Sequence, residues 1–316
     1  MSLRSPPNLR AAAPGARLSR SVAVSLVLVA LAIAGCSNKA GQQPGAQSPE
    51  RQSDAEYDVA RDLFQKGNPR AALDHAMKAV ALNEDNDKAQ YFVGVIHLSF
   101  CSTNRGLEAP DCRLSEVEKY ARAALKANPQ FRDATNMLGQ VLINEKKYRE
   151  AIVALEPLTR DPAYVHPYYA WGNLGWAQVL DGQVDAGIAS LKNAIAAEPR
   201  FCVGQYRLGI AHEKKGEFPL AEQSLTDALT VADPNCENLQ DAWEARGDVR
   251  AKLGRAPEAH KDYERCREIS NETPTGKRCV QKIGTPRPAT PSGPTPSGGA
   301  GGSQTNGTNP NETRKT

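Results

Sequence analysis

Apolar positions along the chain fall into three regimes. Residues 21–35 (SVAVSLVLVALAIAG) are almost wholly apolar and follow twenty polar, basic residues. From about residue 53 to residue 274, apolar positions recur with helical periodicity, in paired amphipathic stretches separated by short polar loops. Residues 284–316 contain 13 Gly or Pro in 33 and almost nothing apolar, the composition of a flexible tail without a core.

The middle regime repeats. Six segments share one template of two helices. Each first helix carries a small residue at one recurring point: Ala60, Gly94, Gly139, Gly175, Gly209 and Gly247, at spacings of 34, 45, 36, 34 and 38. A second slot follows in the second helix at Ala72, Val117, Ala151, Gly187, Ala221 and Ala259. A third follows at Ala79, Ala124, Leu158, Ala194, Ala228 and Cys266. Glycines 67, 182, 216 and 254 separate the paired helices, and prolines stand near the ends of second helices at Pro129, Pro199 and Pro234. A period near 34 residues marks stacked helix pairs, because one pair cannot bury its apolar face alone. The pattern resembles the tetratricopeptide repeat. Trp171, Leu174 and Gly175 match that family's Trp-x-x-Leu-Gly-x-x-Tyr, with Gln178 in the Tyr place, and Leu138-Gly139 and Leu208-Gly209 repeat its centre. The resemblance implies an all-α, right-handed helical solenoid of about six helix pairs, with repeats at 53–86, 87–131, 132–165, 168–201, 202–235 and 240–273.

Three departures from the template carry expectations. The second repeat holds an insertion of eleven residues between its helices, bounded by Cys101 and Cys112. The third has Pro157 late in its second helix, which should end early or kink there. The last places Arg246 and Arg250 where other repeats have apolar residues or His, as a solenoid's polar end requires. Residues 275–283 read as a short capping helix.

The N-terminal apolar run is too short for a comfortable membrane span and fits the core of a signal peptide. It ends in Ile33-Ala34-Gly35-Cys36, which resembles the bacterial lipobox. The resemblance implies a signal peptide over 1–35, acylation of Cys36, and a lipidated flexible tether over 36–52. Each buried CH₂ of an acyl chain contributes about 0.8 kcal/mol, so several chains anchor stably. Ser37, rather than Asp, after the cysteine implies the outer membrane under the sorting rule of that class, with the protein facing the periplasm.

Export changes how the other six cysteines read. Sequential pairing is the expectation: Cys101 with Cys112, Cys202 with Cys236, Cys266 with Cys279. Closing the shortest loop is worth roughly 2–3 kcal/mol. The alternative is buried free thiols, Cys266 above all, because it occupies a small core slot. The net charge of +3 falls to −1 once the four arginines of residues 1–35 are removed, which leaves no basic face for nucleic acid. With 24% charged residues and a single long apolar run, several membrane spans are excluded. The five histidines lack metal-ligand spacing; His97 and His212 hold equivalent core-edge slots of the repeat and read as packing residues. No P-loop, nucleophile elbow or H-E-x-x-H occurs, so the reading is of no enzyme, no metal, no cofactor and no small-molecule substrate.

What remains is a groove. In a repeat of this kind the first helices line the concave face. The template's exposed positions there are Tyr57, Arg61, Phe64, Tyr91, Val95, Leu98, Asn136, Gln140, Tyr169, Trp176, Tyr206 and Ile210. A bound peptide or partner helix would bury so apolar a face; the alternative is that neighbouring helices or the insertion already cover it. Asp241, Glu244 and Asp248 should make its last stretch acidic. A lipobox, a short tether and about six repeats together resemble the PilF/PilW/Tgl pilotin lipoproteins of type IV pili. Tyr164 to Gln178 (YVHPYYAWGNLGWAQ) and Phe201-Cys202 are most similar to the Tgl branch. That resemblance implies a protein partner, a secretin subunit, whose assembly into a ring the protein promotes. A generic envelope adaptor, or a regulator of cell-wall enzymes, is the alternative.

Overall fold

The structure, a computed structural model, describes residues 48–101 and 106–284. The expected signal peptide, Cys36, the tether up to residue 47 and the tail from 285 lie outside the described residues. Among the described residues there are 14 α-helices and no strand. Six pairs form the repeats: α1 (Pro49–Gln65) with α2 (Pro69–Leu82), α3 (Asp87–Phe100) with α4 (Leu114–Ala127), α5 (Arg132–Asn144) with α6 (Tyr148–Thr159), α7 (Pro167–Leu180) with α8 (Val184–Ala197), α9 (Cys202–Lys214) with α10 (Phe218–Thr230), and α12 (Gln240–Lys252) with α13 (Ala256–Ile269). A one-turn α11 (Pro234–Glu237) precedes α12, and α14 (Pro274–Gly284) follows α13. Helix α1 starts at Pro49, capped by Ser48, so the first four residues of that helix belong to the stretch assigned to the tether.

All three recurring small-residue slots are buried in every repeat. The reason is steric. A Cβ on Gly139 would come within 2.5 Å of Leu155, one on Gly209 within 2.5 Å of Leu225, and one on Gly247 within 2.5 Å of Tyr263. Each partner sits sixteen residues further on, in the second helix of the same pair. A large side chain there fills the hollow that the glycine leaves, at the density expected of a protein interior. In the first pair Ala60 and Ala76, the same sixteen residues apart, are both fully buried.

The turn inside each pair is equally regular. Gly67, Gly182, Gly216 and Gly254 are left-handed, with φ of 76°, 90°, 76° and 77°, and Lys146 takes the same place in the third repeat at φ 63°. Each closes its helix by a tight C-terminal turn; Asn68 N donates to Leu63 O and Lys147 N to Leu142 O. Helix α6 carries Pro157 in its last turn and stops two residues later; at 12 residues it is the shortest of the second helices.

First helices pack side by side, α1 on α3, α5 on α7, α7 on α9, and α9 on α12. Second helices meet instead the first helix of the next pair. The first helices therefore form the inner face of the stack.

The polar end requires a correction. Arg246 and Arg250 do not present a solvated end. Arg246 is 8% exposed and grips Asp262, itself 2% exposed, through two bonds of 2.8 and 3.1 Å. Arg250 bonds both Asp262, at 2.9 Å, and Glu222, at 2.8 Å. Helix α13 folds over these arginines, so the charges are buried and paired, and α14 makes the end of the described stack.

Replacing Gly175 by Ala should lower stability by about 1–3 kcal/mol, because the new methyl would meet Leu191 and the Gly187 carbonyl with no flexible side-chain end to yield. Lys146→Gly should instead raise it by up to about 1 kcal/mol, by removing a left-handed non-glycine residue. Thermal melts of both variants check the pair.

Candidate functional site

The inner face is built from the exposed edges of α1, α3, α5, α7, α9 and α12, and the structure divides its expected residues into two classes. Of the twelve, only Arg61 and Tyr169 are exposed, Tyr169 to 42%; the rest are half-buried. Neighbouring first helices account for much of that cover. Tyr57 and Phe64 both turn edges onto Phe92, at 5.7 and 5.5 Å, with the Arg61 guanidinium 5.5 Å over the Tyr57 ring. Tyr91 lies 4.9 Å from Phe131, and burial pushes its phenol up to about 12. Val95 and Leu98 pack against the buried cluster around Val141 and Leu142. These side chains hold adjacent repeats together as much as they offer a surface.

In the middle of the stack the face opens. Tyr169 stands beside Tyr168, ring centroids 4.2 Å apart, and both pack on Phe201. Val165, 79% exposed, and exposed His166 extend this patch along the loop before α7. Trp176 bridges two buried clusters, one centred on the third repeat and one shared by the fourth and fifth. A polar ladder runs beneath: Asn173 donates to Asn136 Oδ1 at 3.0 Å, and Arg207 donates to Asn173 Oδ1 at 2.9 Å and to the Gly172 carbonyl at 3.0 Å. The Arg207 guanidinium lies 5.8 Å from the Trp176 ring. Asn173 and Arg207 were absent from the sequence-derived set. A signal existed: both stand two residues before the small-residue slot, where Phe92, Met137 and Ala245 are apolar in other repeats.

The far end differs from expectation. Asp241, Glu244 and Asp248 do not give an open acidic stretch: α14 supplies a partner to each, and only Asp241 stays exposed. Arg278 bonds Glu244 at 2.6 and 2.9 Å, and Lys282 reaches Glu244 at 2.8 Å and Asp248 at 2.7 Å. The Thr275 hydroxyl donates to Asp241. Burial pushes the Glu244 carboxyl up, but the hydrogen bonds from Arg278 and Lys282 outweigh it and hold the group below its usual range. Tyr206 and Ile210 pack into the cluster of α10 and α12.

The cysteines join as Cys101–Cys112, Cys202–Cys236 and Cys266–Cys279. The first closes the insertion, whose residues 102–105 lie outside the described set. The second ties the start of α9 to α11 beneath Tyr206. The third fastens α14 to α13, with Cys266 and Cys279 both fully buried. His97 and His212 are buried; His212 Nδ1 meets Glu217 at 2.6 Å, and His97 stacks on Tyr120.

The family model for the tetratricopeptide repeat matches residues 118–163, 173–237 and 206–270. Among curated proteins the chain is 30% identical, over 135 residues, to a tetratricopeptide repeat domain-containing protein of Arabidopsis thaliana, the chloroplastic PYG7. That match covers 40% of this chain and 42% of the relative, so the chain spans less than half of the relative's length. Among solved structures, PilW, titled a widely conserved type IV pilus biogenesis factor, superposes with a TM-score of 0.59 at 18% identity, over 72% of this chain and 98% of PilW. Pseudomonas aeruginosa PilF does so with a TM-score of 0.56 at 14% identity, over 75% of this chain and all of PilF. At these identities the likeness is one of fold.

Because the Glu244 carboxyl titrates below its ordinary 4.5, docking of α14 is stabilised at neutral pH and loses that support as pH falls below 4.5 and through the folded value. Amide exchange in residues 274–284 should accelerate over that range ahead of exchange in α7 and α8. Glu244→Gln should show fast exchange in α14 already at pH 7. An α14 equally protected at both pH values in both proteins would contradict the role given to Glu244.

Proposed function

We propose that this chain is a lipid-anchored scaffold of the bacterial envelope whose inner face takes a segment of a protein partner, and that its task is to promote assembly of the outer-membrane secretin of type IV pili. The observation that carries the reading is the agreement of its helix pairs with PilW over 98% of that chain, together with an exposed aromatic patch at Tyr169 on the inner face. Stacked helix pairs offer a long, rigid surface suited to an extended peptide or a helix. Tyr169 and Trp176 are the side chains best placed to act as anchors, since aromatic residues that are partly wet in the free protein gain most on desolvation. Disulfide pairing of six cysteines supports an oxidising compartment. Cys36 following Ile33-Ala34-Gly35 supports acylation and retention at a membrane. No helix among the described residues is long and apolar enough to cross a membrane, so the acyl chains on Cys36 would supply the attachment.

Combining Tyr169→Ala with Trp176→Leu should reduce partner binding at least tenfold, and secretin in the source bacterium should then fail to form oligomers. Leucine keeps bulk in the clusters that Trp176 bridges, and circular dichroism of the purified variant checks that the helices persist. Cys36→Ala should leave the protein unlabelled by a fatty-acid probe and release it from membranes. Normal secretin oligomers in a strain lacking the protein altogether would refute the pilus assignment while leaving the scaffold reading intact.

A further inference from the structure

We propose that the tyrosine patch at the start of α7 takes a proline-rich segment in polyproline II form, and that the segment is residues 285–297 of a second copy of this chain. The proposal goes beyond the secretin reading and does not depend on it; a secretin segment on the inner face would compete with the tail for Tyr169.

The patch is an aromatic notch. Tyr168 and Tyr169 lie 4.2 Å apart, tilted by 37°, and Phe201 meets them at 66° and 86°. His166 stands 6.1 Å from Tyr169, and Val165 before it is exposed. Rings set at steep angles leave gaps between their faces that suit a proline ring, and aromatic-lined grooves are a recurring way of docking proline-rich chain. A polyproline II segment makes no internal hydrogen bonds, so its carbonyls are free to accept from tyrosine hydroxyls. Glu198 borders the notch. A hydrogen bond to Tyr169 and burial push the Tyr168 phenol up to about 12, and the nearby Glu198 charge acts in the same direction. Half-buried Glu198 accepts from the Arg200 backbone N–H and has no cation partner among the described residues.

The chain carries a segment that matches. Residues 285–297 (TPRPATPSGPTPS) hold five prolines, and Pro288, Pro291 and Pro294 recur at every third residue. Polyproline II turns once in three residues and rises about 3.1 Å per residue, so these three would stand in one row about 9 Å apart. Arg287 precedes the row and would supply the cation that Glu198 lacks. A proline row for the rings and a cation for the acid together set the direction of the bound segment.

Reach decides whose tail it is. Helix α14 ends at Gly284, three residues before Arg287, and three residues span at most about 11 Å. Between α14 and α7 stand α12 and α9, each packed on the next, and three steps between neighbouring helices amount to about 24–30 Å. Direction adds to the separation. Thr275 pairs with Asp241 and Lys282 with Asp248, so α14 runs the same way as α12 and its last residue points away from the edge where the first helices begin. One chain therefore cannot lay Arg287 beside its own Glu198, whereas a neighbouring copy can.

The test uses full-length chains purified in detergent, followed by analytical ultracentrifugation, with a fluorescein-labelled peptide of residues 285–297 as probe. The wild-type chain should self-associate. Pro288→Ala, Pro291→Ala and Pro294→Ala combined silence the tail, and Tyr169→Ala, an exposed position, silences the patch. Each variant alone should be monomeric, and an equimolar mixture should recover a complex containing both. The peptide should bind the tail-silenced chain and bind Tyr169→Ala at least tenfold more weakly, with Glu198→Gln intermediate and insensitive to salt. Self-association of the tail-silenced chain equal to the wild type would overturn the tail as occupant. Monomers throughout, with the peptide binding the tail-silenced chain better than the wild type, would mean that a chain fills its own patch and would overturn the assignment to a second copy. No peptide binding, with secretin oligomers still lost in Tyr169→Ala cells, would overturn this proposal and leave the partner reading standing. Peptide binding and self-association as expected, with secretin oligomers normal in those cells, would support the proposal and count against the partner reading instead.

Discussion

At the centre of the fourth repeat the backbones of α7 and α8 nearly touch: a Cβ on Gly175 would fall 2.9 Å from the Gly187 carbonyl oxygen, and one on Gly187 2.8 Å from that of Gly175. The same approach, with a glycine on one side and Leu155, Leu225 or Tyr263 on the other, fixes three more pairs. Close contact within each pair sets the distance between its helices. It also decides which edge of each first helix is left over for the next repeat, and that edge is the inner face. A side chain in the small slot would move all of this at once, which is why the slot recurs while the exposed positions around it vary from repeat to repeat.

The stack is not uniform along its length. Over the first repeats, aromatic rings serve mainly to hold first helices together, as Tyr57 and Phe64 do on Phe92. In the middle, a ladder of amides and one guanidinium lies under an exposed tyrosine patch. At the C-terminal end, buried ion pairs around Asp262 and a disulfide-tethered helix close the face. Buried ion pairs of this kind add little net stability, but removal of one partner costs about 3–5 kcal/mol, so they favour one arrangement over its alternatives. The open part of the inner face is therefore its middle, bounded by packing on one side and by α14 on the other.

Much of this architecture was legible in the sequence because it rests on residue size at fixed spacing. The six small slots, the loop glycines and the six helix pairs all follow from counting. Lys146 escaped the glycine pattern and still took the left-handed turn, since the register of its neighbours demanded it. The groove was legible only by half. Template position says which residues point inward, but not whether Phe92, Phe131 or Phe201 already covers them, and two of those rings sit at helix starts rather than on the inward positions. The sequence predicts a capping helix over 275–283, but its fold-back onto Glu244 and Asp248 was hidden for another reason. Arg278 and Lys282 are thirty-four or more residues from Glu244 and Asp248, and ion pairs across that distance carry no periodic signature.

Function depends first on which face of the stack meets a partner. Photo-crosslinking in living cells decides it most directly, with p-benzoylphenylalanine placed at Tyr169 on the inner face or at Val153 on α6, which is 73% exposed on a second helix. A partner on the inner face should give one dominant crosslinked protein from position 169, absent from position 153 and absent when Trp176 is replaced by Leu. Crosslinking to a partner from position 153 with none from position 169 would contradict it.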